Sequence, residues 1–376
     1  MLQLAVSRAW PVHQLDVSNA FLHDHLAEQV FCEQPTSFIN AEHLDFVCLL
    51  SHSLYGLKWA HRAWYQHIAA FLQSLRFRST HSDASLFVYH QGVDTAYLLL
   101  YIYGIILTAS APDLLQRLTA RLCDEFALKD LGPLHYFLGM EYLTLTCPDL
   151  QYAVQQVCLH MHAPRDSHWT LVKRILCYIR GTMSLGLTLT ASASTDLVAY
   201  SDADWAGCPN TRRSTSGYRV YLGPSLISWS SKRQPTVSRS SVEVEYRAMA
   251  NVVAECSWIS QLLQELLCDV HKATLVYCDN ISAVYLSANS VHHRLTKHIE
   301  LDIHFVREQV ALGRVWVLHV PTTQQFADVM TKGLPTPVFE EFRSILYVSG
   351  DASTVGGGGV EYVFCTARVL ELWPTS

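Results

Sequence analysis

A chain of 376 residues in which half are hydrophobic and 16% charged can bury a large core and is long enough for two domains, which excludes a largely disordered protein. A net charge of −6 excludes a surface that grips nucleic acid through overall basicity, so any such binding rests on local patches such as Lys232, Arg233 and Arg239. Eleven cysteines, an odd number with no CxxC pair and no secretory signal ahead of them, read as reduced thiols rather than a disulfide framework.

In chain order, the segment around VHQLDV is extended, and Trp59 to Phe77 carries the apolar spacing of an amphipathic helix. Leu86 to Tyr89, Tyr97 to Ile102 and Ile105 to Thr108 read as strands, with Tyr103-Gly104 as a two-residue hairpin loop whose glycine tolerates positive φ. The apolar run AYLLLYIYGIILTA, residues 96–109, is shorter than the roughly 18 to 20 residues that span a bilayer as a helix, and fits a buried hairpin. Pro112 to Phe126 is helical, and residues 169–180 form a second amphipathic helix stopped by Gly181.

From residue 197 the order is strands 197–202, 217–222 and 226–231, then a long helix over 241–267 opened by a capping box of Ser240 and Glu243. Strand 274–278, a helix from Ile281, a helix over 298–312, strand 314–320 and a short helix near 325–332 follow. Three hairpin-linked strands followed by alternating helix and strand describe an α/β domain with a mixed five-stranded sheet. The glycine run 356–359 marks a flexible end.

Four carboxylates punctuate this second half: Asp202 in AYSDADWAG, Glu245 in SRSSVEVEYRAMA, Asp279 in LVYCDN and Asp328 in QQFADVMTK. If strands 197–202 and 274–278 are parallel neighbours, Asp202 and Asp279 meet at their C-terminal edge, with Glu245 on the helix packed over them. Such a cage of hard oxygens suits a pair of magnesium ions, or manganese, acting on a phosphodiester. Taken singly, each acid also fits an ordinary role: a strand-end turn at Asp279, a helix first turn at Glu245 and Asp328. The histidines His292, His293, His298 and His304, with Asp302, offer a competing zinc reading.

The phrases YSDADWAG, RRSTSGY, ISWSSKRQPTVSRSSVEVEYRAMA, CDN, HRLTKHIELDIHFVRE and FADVMTKGL closely resemble the ribonuclease H region of copia-type retrotransposon polyproteins. The resemblance implies hydrolysis of the RNA strand of an RNA-DNA hybrid, with Asp202, Glu245 and Asp279 as core metal ligands and Asp328 as the fourth. It gives Asp204 a supporting role and Glu243 the cap, and implies a substrate-facing loop in which Arg294 and Lys297 meet phosphates; Arg212, Arg213, Lys232, Arg233 and Lys297 are candidates for contacts to the nucleic-acid backbone, with a solvated surface as the alternative.

The first half resembles the reverse transcriptase of the same family in WPVHQLDVSNAFLH, SLYGLKWAHRAWY, DASLFVY, LLLYIYGIILT and LKDLGPLHYFLGMEY. That resemblance implies a polymerase site built from Asp16 and two adjacent aspartates in the hairpin. Tyr103 and Gly104 stand at those two positions, so Asp16 is a vestigial metal ligand and DNA polymerisation is expected to be lost. Asp24 stands where the motif usually has glycine, the fingers segment that the resemblance implies upstream of WPVHQLDV is expected to be lacking, and a seam is expected near Glu141 and Tyr142, joining blocks that the family keeps apart.

The resulting expectation is α/β and α+β: a truncated, palm-like reverse transcriptase region at 1–141, a connection remnant at 142–190, a ribonuclease H-like domain at 191–346 and a flexible tail at 347–376. The partner is an RNA-DNA hybrid, with no membrane and no small-molecule cofactor, in cytoplasm or nucleus. A noncatalytic retroelement remnant is the alternative, because retained acids also fit recent descent.

Overall fold

The computed structural model describes residues 1–17, 25–40, 43, 45–52, 60–101, 104–134, 147–182, 185–289, 298–345, 347–349 and 361–365. The protein divides into two compact units, Trp10–Leu134 and the combination of Met1–Ala9 with His135–Ser376. The first nine residues therefore join the second unit: helix α1 (Leu2–Ser7) lies against it, with the Gln3 side-chain amide donating to Thr190 O at 2.9 Å.

The first unit contains β1 (Val12–Val17), β2 (His25–Glu33), β3 (Val47–His52), α2 (Ala60–Ser74), β4 (Phe77–Ser79), β5 (Leu86–Gln91), β6 (Asp94–Tyr101), β7 (Gly104–Ala109), α3 (Pro112–Glu125) and β8 (Leu128–Pro133). Six strands form one sheet in the order β4-β5-β6-β7-β1-β8, while β2 and β3 pair separately. Leu15 and Val17 of β1 join Leu98, Ile105 and Leu107 of the central strands in a core closed by Ile68 and Leu72 of α2 and Leu115 and Leu122 of α3. Strand alternation then turns Asp16, between Leu15 and Val17, to solvent.

Two expectations shift here. Helix α2 stops at Ser74, because Arg76 takes a left-handed backbone at φ 68° and Phe77 opens β4. The hairpin turns one residue earlier than the sequence suggested. Tyr101 of β6 pairs with Gly104 of β7, which makes Gly104 a strand residue; Ile102 and Tyr103 lie outside the described residues. The positive φ expected at Gly104 is absent; the positive-φ glycines among the described residues are Gly92, Gly132, Gly223 and Gly313.

The second unit continues with α4 (Gln151–Cys158), α5 (Asp166–Gly181), β9 (Leu185–Thr190), β10 (Leu197–Ala203), β11 (Thr215–Leu222), β12 (Ser225–Arg233), α6 (Ser241–Glu265), β13 (Thr274–Cys278), α7 (Ile281–Ala288), α8 (Glu300–Ala311), β14 (Val315–His319), α9 (Thr336–Ser344), β15 (Tyr347–Ser349) and β16 (Glu361–Cys365). Five strands form the expected mixed sheet, in the order β12-β11-β10-β13-β14. The hairpin strands are antiparallel, and β10, β13 and β14 are parallel.

The alternation of β10 divides its residues between two faces. Ala203 packs on Val244 and Ala248 of α6, whereas Tyr200 turns the other way and meets Phe326 edge-on, with ring centroids 4.9 Å apart. Ser240 caps α6 by accepting the Glu243 N–H at 3.2 Å. The box closes one residue early, since the Glu243 carboxylate accepts from Arg239 N at 2.8 Å.

The short helix expected near 325–332 is a 3-10 turn, Phe326–Met330. Gln325 tightens its start, accepting from Ala327 N at 3.3 Å while its amide donates to Ser201 O at 2.9 Å. Within the segment expected to be a flexible tail, β15 and β16 both pair antiparallel with β9. The aromatic and β-branched residues of YVS and EYVFC favour a pleated strand, a local preference that the glycine run between them obscures. Among the described residues, no helix is long and apolar enough to cross a membrane.

Candidate metal centre

Ser201 of β10 stands in parallel register with Cys278 of β13, so the next residues, Asp202 within the end of β10 and Asp279 just past β13, come side by side at the C-terminal edge of this strand pair. Across β10 on the other side, Asp202 faces Gly217 of β11. A Cβ at Gly217 would lie 2.5 Å from Met330 Cβ and 2.7 Å from Thr331 Cγ2. The bare glycine thus lets the 3-10 turn lie flat on the sheet, which carries Asp328 to the cluster. Glu245 arrives from the start of α6, one residue past Val244, which is packed against Ala203.

The result is two overlapping groups. Carboxylate oxygens of Asp202, Asp279 and Asp328 lie within 4.8 Å of one another, and so do donor atoms of Glu245, Cys278 and Asp279. Asp279 belongs to both. Asp202, Glu245 and Asp328 are buried, and Asp279 is half-buried at the rim, where it accepts from Thr322 Oγ1 at 3.2 Å.

Crowding buried carboxylates sets their electrostatics. Burial pushes Glu245 upward, reinforced by the charges of Asp202 and Asp279. Burial also raises Asp202, against the opposing Lys332 ammonium, and raises Asp328. The Cys278 thiol, buried and beside Glu245, is held well above its ordinary value and donates weakly to Glu245 Oε2 at 3.9 Å. Such a donor set fits a divalent cation. Hard oxygens converge within coordination reach, and the carboxyls are raised by burial and by one another's charge, both of which a bound cation would offset.

Three residues of this centre had no assigned part in the sequence reading. Gly217 shapes it, Thr331 Oγ1 donates to Asp202 Oδ2, and Lys332 Nζ lies 2.8 Å from Asp328 Oδ1 and 3.4 Å from Asp202 Oδ2. Burial works against the Lys332 charge, but Asp202 and Asp328 outweigh it and raise the ammonium. Lys332 was detectable in principle, because it follows Asp328 at i, i+4. Asp204 does not join the cluster; it accepts from Thr215 N, and burial pushes it up to about 6.

The remaining expected residues fall elsewhere. Arg212, Arg213 and Lys232 are exposed, and Arg233 is half-buried, near enough to Asp204 for its charge to oppose that rise. Arg294 and Lys297 lie outside the described residues, as do Asp24, Glu141, Tyr142, His292 and His293. His304 Nε2 sits 4.0 Å from Glu300 Oε1, and no histidine enters either metal-capable group among the described residues. In the first unit, exposed Asp16 pairs in register with Gly104 on one side and Lys129 on the other.

Residues 1–153 match the reverse transcriptase (RNA-dependent DNA polymerase) family. The chain is 38% identical over 420 residues to the retrovirus-related Pol polyprotein from transposon RE2 of Arabidopsis thaliana, covering 95% of this chain and 29% of that protein. The corresponding polyprotein from transposon RE1 of the same plant is 39% identical over 412 residues, covering 93% of this chain and 28% of its own length. The chain thus spans less than a third of these relatives. Among solved structures, the N-terminal RNase H domain of a Mycobacterium tuberculosis protein, fused to maltose binding protein, is similar at 14% identity and a TM-score of 0.29, over 40% of this chain and 98% of that one.

Proposed function

The chain belongs to the family of retrovirus-related Pol polyproteins of copia-type transposons, and from that premise we propose that it hydrolyses the RNA strand of RNA-DNA hybrids at Asp202, Glu245, Asp279 and Asp328 but does not polymerise DNA. The observation that carries this reading is the convergence of Asp202, Asp279 and Asp328 oxygens within 4.8 Å at one sheet edge. Asp202, Asp279 and Asp328, with Glu245 grouped beside Asp279, would hold magnesium or manganese. Bound there, the cations would activate a water and neutralise charge on the leaving 3′ oxygen.

The chain's own residues supply the rest. Thr331 and Thr322 orient Asp202 and Asp279 through their hydroxyls, so that the oxygens point into the cluster before substrate arrives. Arg212, Arg213, Lys232, Arg233 and Lys297 would meet phosphates and hold the duplex by shape, with the 2′ hydroxyls separating RNA from DNA. Loss of polymerisation is supported by Gly104, which stands in register with Asp16 and has no carboxylate to offer, and by the neutral phenol of Tyr103.

The test uses the full chain with a labelled RNA-DNA hybrid in magnesium, beside Asp279→Asn. Cleavage by the parent that is absent from a folded Asp279→Asn variant is the expected result. Equal cleavage by both refutes the site, and an intact hybrid with a folded parent refutes the activity.

A further inference from the structure

One charged group at the acid cluster has no part in the hydrolysis proposed above. Lys332 leaves the chain one turn after Asp328, and its ammonium bridges Asp328 Oδ1 at 2.8 Å and Asp202 Oδ2 at 3.4 Å. Those two residues, with Asp279, supply the oxygens that lie within 4.8 Å of one another. An ammonium and a divalent cation therefore draw on the same carboxylates. The two acids are fixed, with side chains 1% and 9% exposed, whereas the lysine side chain is 37% exposed and has a flexible four-carbon stem with an outlet to solvent.

Resting on the reading of this cluster as a metal centre, we infer that Lys332 is a resident counter-ion that competes with the divalent cation for Asp202 and Asp328 and must swing outward when the cation binds. The lysine then has two consequences. It shields two buried carboxylates from each other, which lets the centre fold without metal. It also weakens metal binding, because each cation that enters must displace an ion pair. A site of this kind exchanges its cations more readily than a bare carboxylate cage of the same geometry.

The experiment measures magnesium affinity of the full chain by titration calorimetry for the parent, Lys332→Met and Lys332→Arg. Lys332→Met should bind magnesium roughly tenfold more tightly, the scale expected for removing one partly exposed competing ion pair. Lys332→Arg, which keeps the charge, should stay near the parent. Unchanged or weaker binding by folded Lys332→Met overturns the inference.

A second measurement needs no variant. Acetylation of parent lysines by an amine-reactive ester, read by mass spectrometry, should rise at Lys332 as magnesium saturates the protein; a flat or falling signal there overturns the inference even if Lys332→Met fails to fold. The two readings separate cleanly. Competition by magnesium with an uncut hybrid refutes the hydrolysis and supports the counter-ion, whereas cleavage without competition does the reverse.

Discussion

Gly217 of β11 stands directly opposite Asp202 of β10, and its missing side chain leaves the space in which Met330 and Thr331 rest. Gly217→Ala should therefore act at a distance. The added methyl would press on Met330 Cβ at 2.5 Å and lift the turn that carries Asp328 and Lys332. The expected cost is about 1–3 kcal/mol of stability, as for other overpacked sites. Magnesium affinity should fall with it, which thermal denaturation with and without magnesium would measure; a variant with parent stability and parent affinity would show that the close approach is not needed.

The raised acids give a pH dependence whose sign follows directly. A carboxyl whose folded pKa lies above its unfolded value binds its proton more tightly in the folded protein, so folding is favoured at low pH and loses that contribution as pH rises. For Glu245, Asp202 and Asp328 the loss begins near the ordinary carboxylate range, about 4, and continues upward through their raised values. Lys332, pushed upward, stays charged across this window. In chelator, urea unfolding should show stability declining from pH 5 to pH 8, and magnesium should flatten the decline.

The burial of Glu245 makes a variant without its carboxylate the more stable one in the absence of metal. At pH 7 Glu245, pushed up to about 9 chiefly by burial, is protonated in the fold but ionised in the unfolded chain; Glu245→Gln needs no such proton uptake, so in chelator it should unfold at higher urea, by on the order of 1 kcal/mol. It should also lose most of the stabilisation that magnesium gives the parent. Lower stability than the parent in chelator would mean that the Ala203 N–H and Cys278 contacts to Glu245 outweigh the cost of burying its carboxyl among Asp202 and Asp279.

Local pattern made much of this architecture legible. Alternation over residues 197–202, the Ser240 cap and the strand at 274–278 are short-range signals, and they led to the five-stranded sheet and to the edge where Asp202 and Asp279 meet. What stayed hidden depends on partners far along the chain. Nothing near Gly217 tells that residues 330 and 331 will lie on it, and nothing near Tyr347 or Glu361 reveals that β9 offers both its edges. The position of Gly104 was missed for a different reason: a glycine in an apolar hairpin reads as its turn, and only the ladder from Tyr101 to Gly104 to Asp16 assigns it to the strand.

The cap at the start of α6 should be separable from the chemistry next to it. Ser240→Ala removes the oxygen that accepts from Glu243 N, at an expected cost of about 1 kcal/mol. Glu245 is fixed by packing of the neighbouring Val244, so magnesium affinity should be unchanged. A loss of affinity alongside the loss of stability would show that the cap also positions Glu245.

Gly104 offers a test of how much of a metal site the first unit retains. Because Gly104 and Asp16 are direct antiparallel neighbours, Gly104→Asp would set two carboxylates opposite each other on adjacent strands, a like-charge pair that costs roughly 0.2–1 kcal/mol. Exposure of Asp16 leaves room for a cation to relieve that repulsion. The variant should melt below the parent in chelator and recover with manganese more than the parent does, while primer extension stays absent in both. Extension by the parent would refute the loss of polymerisation, and a Gly104→Asp variant indifferent to manganese would show that Asp16 no longer belongs to a metal site.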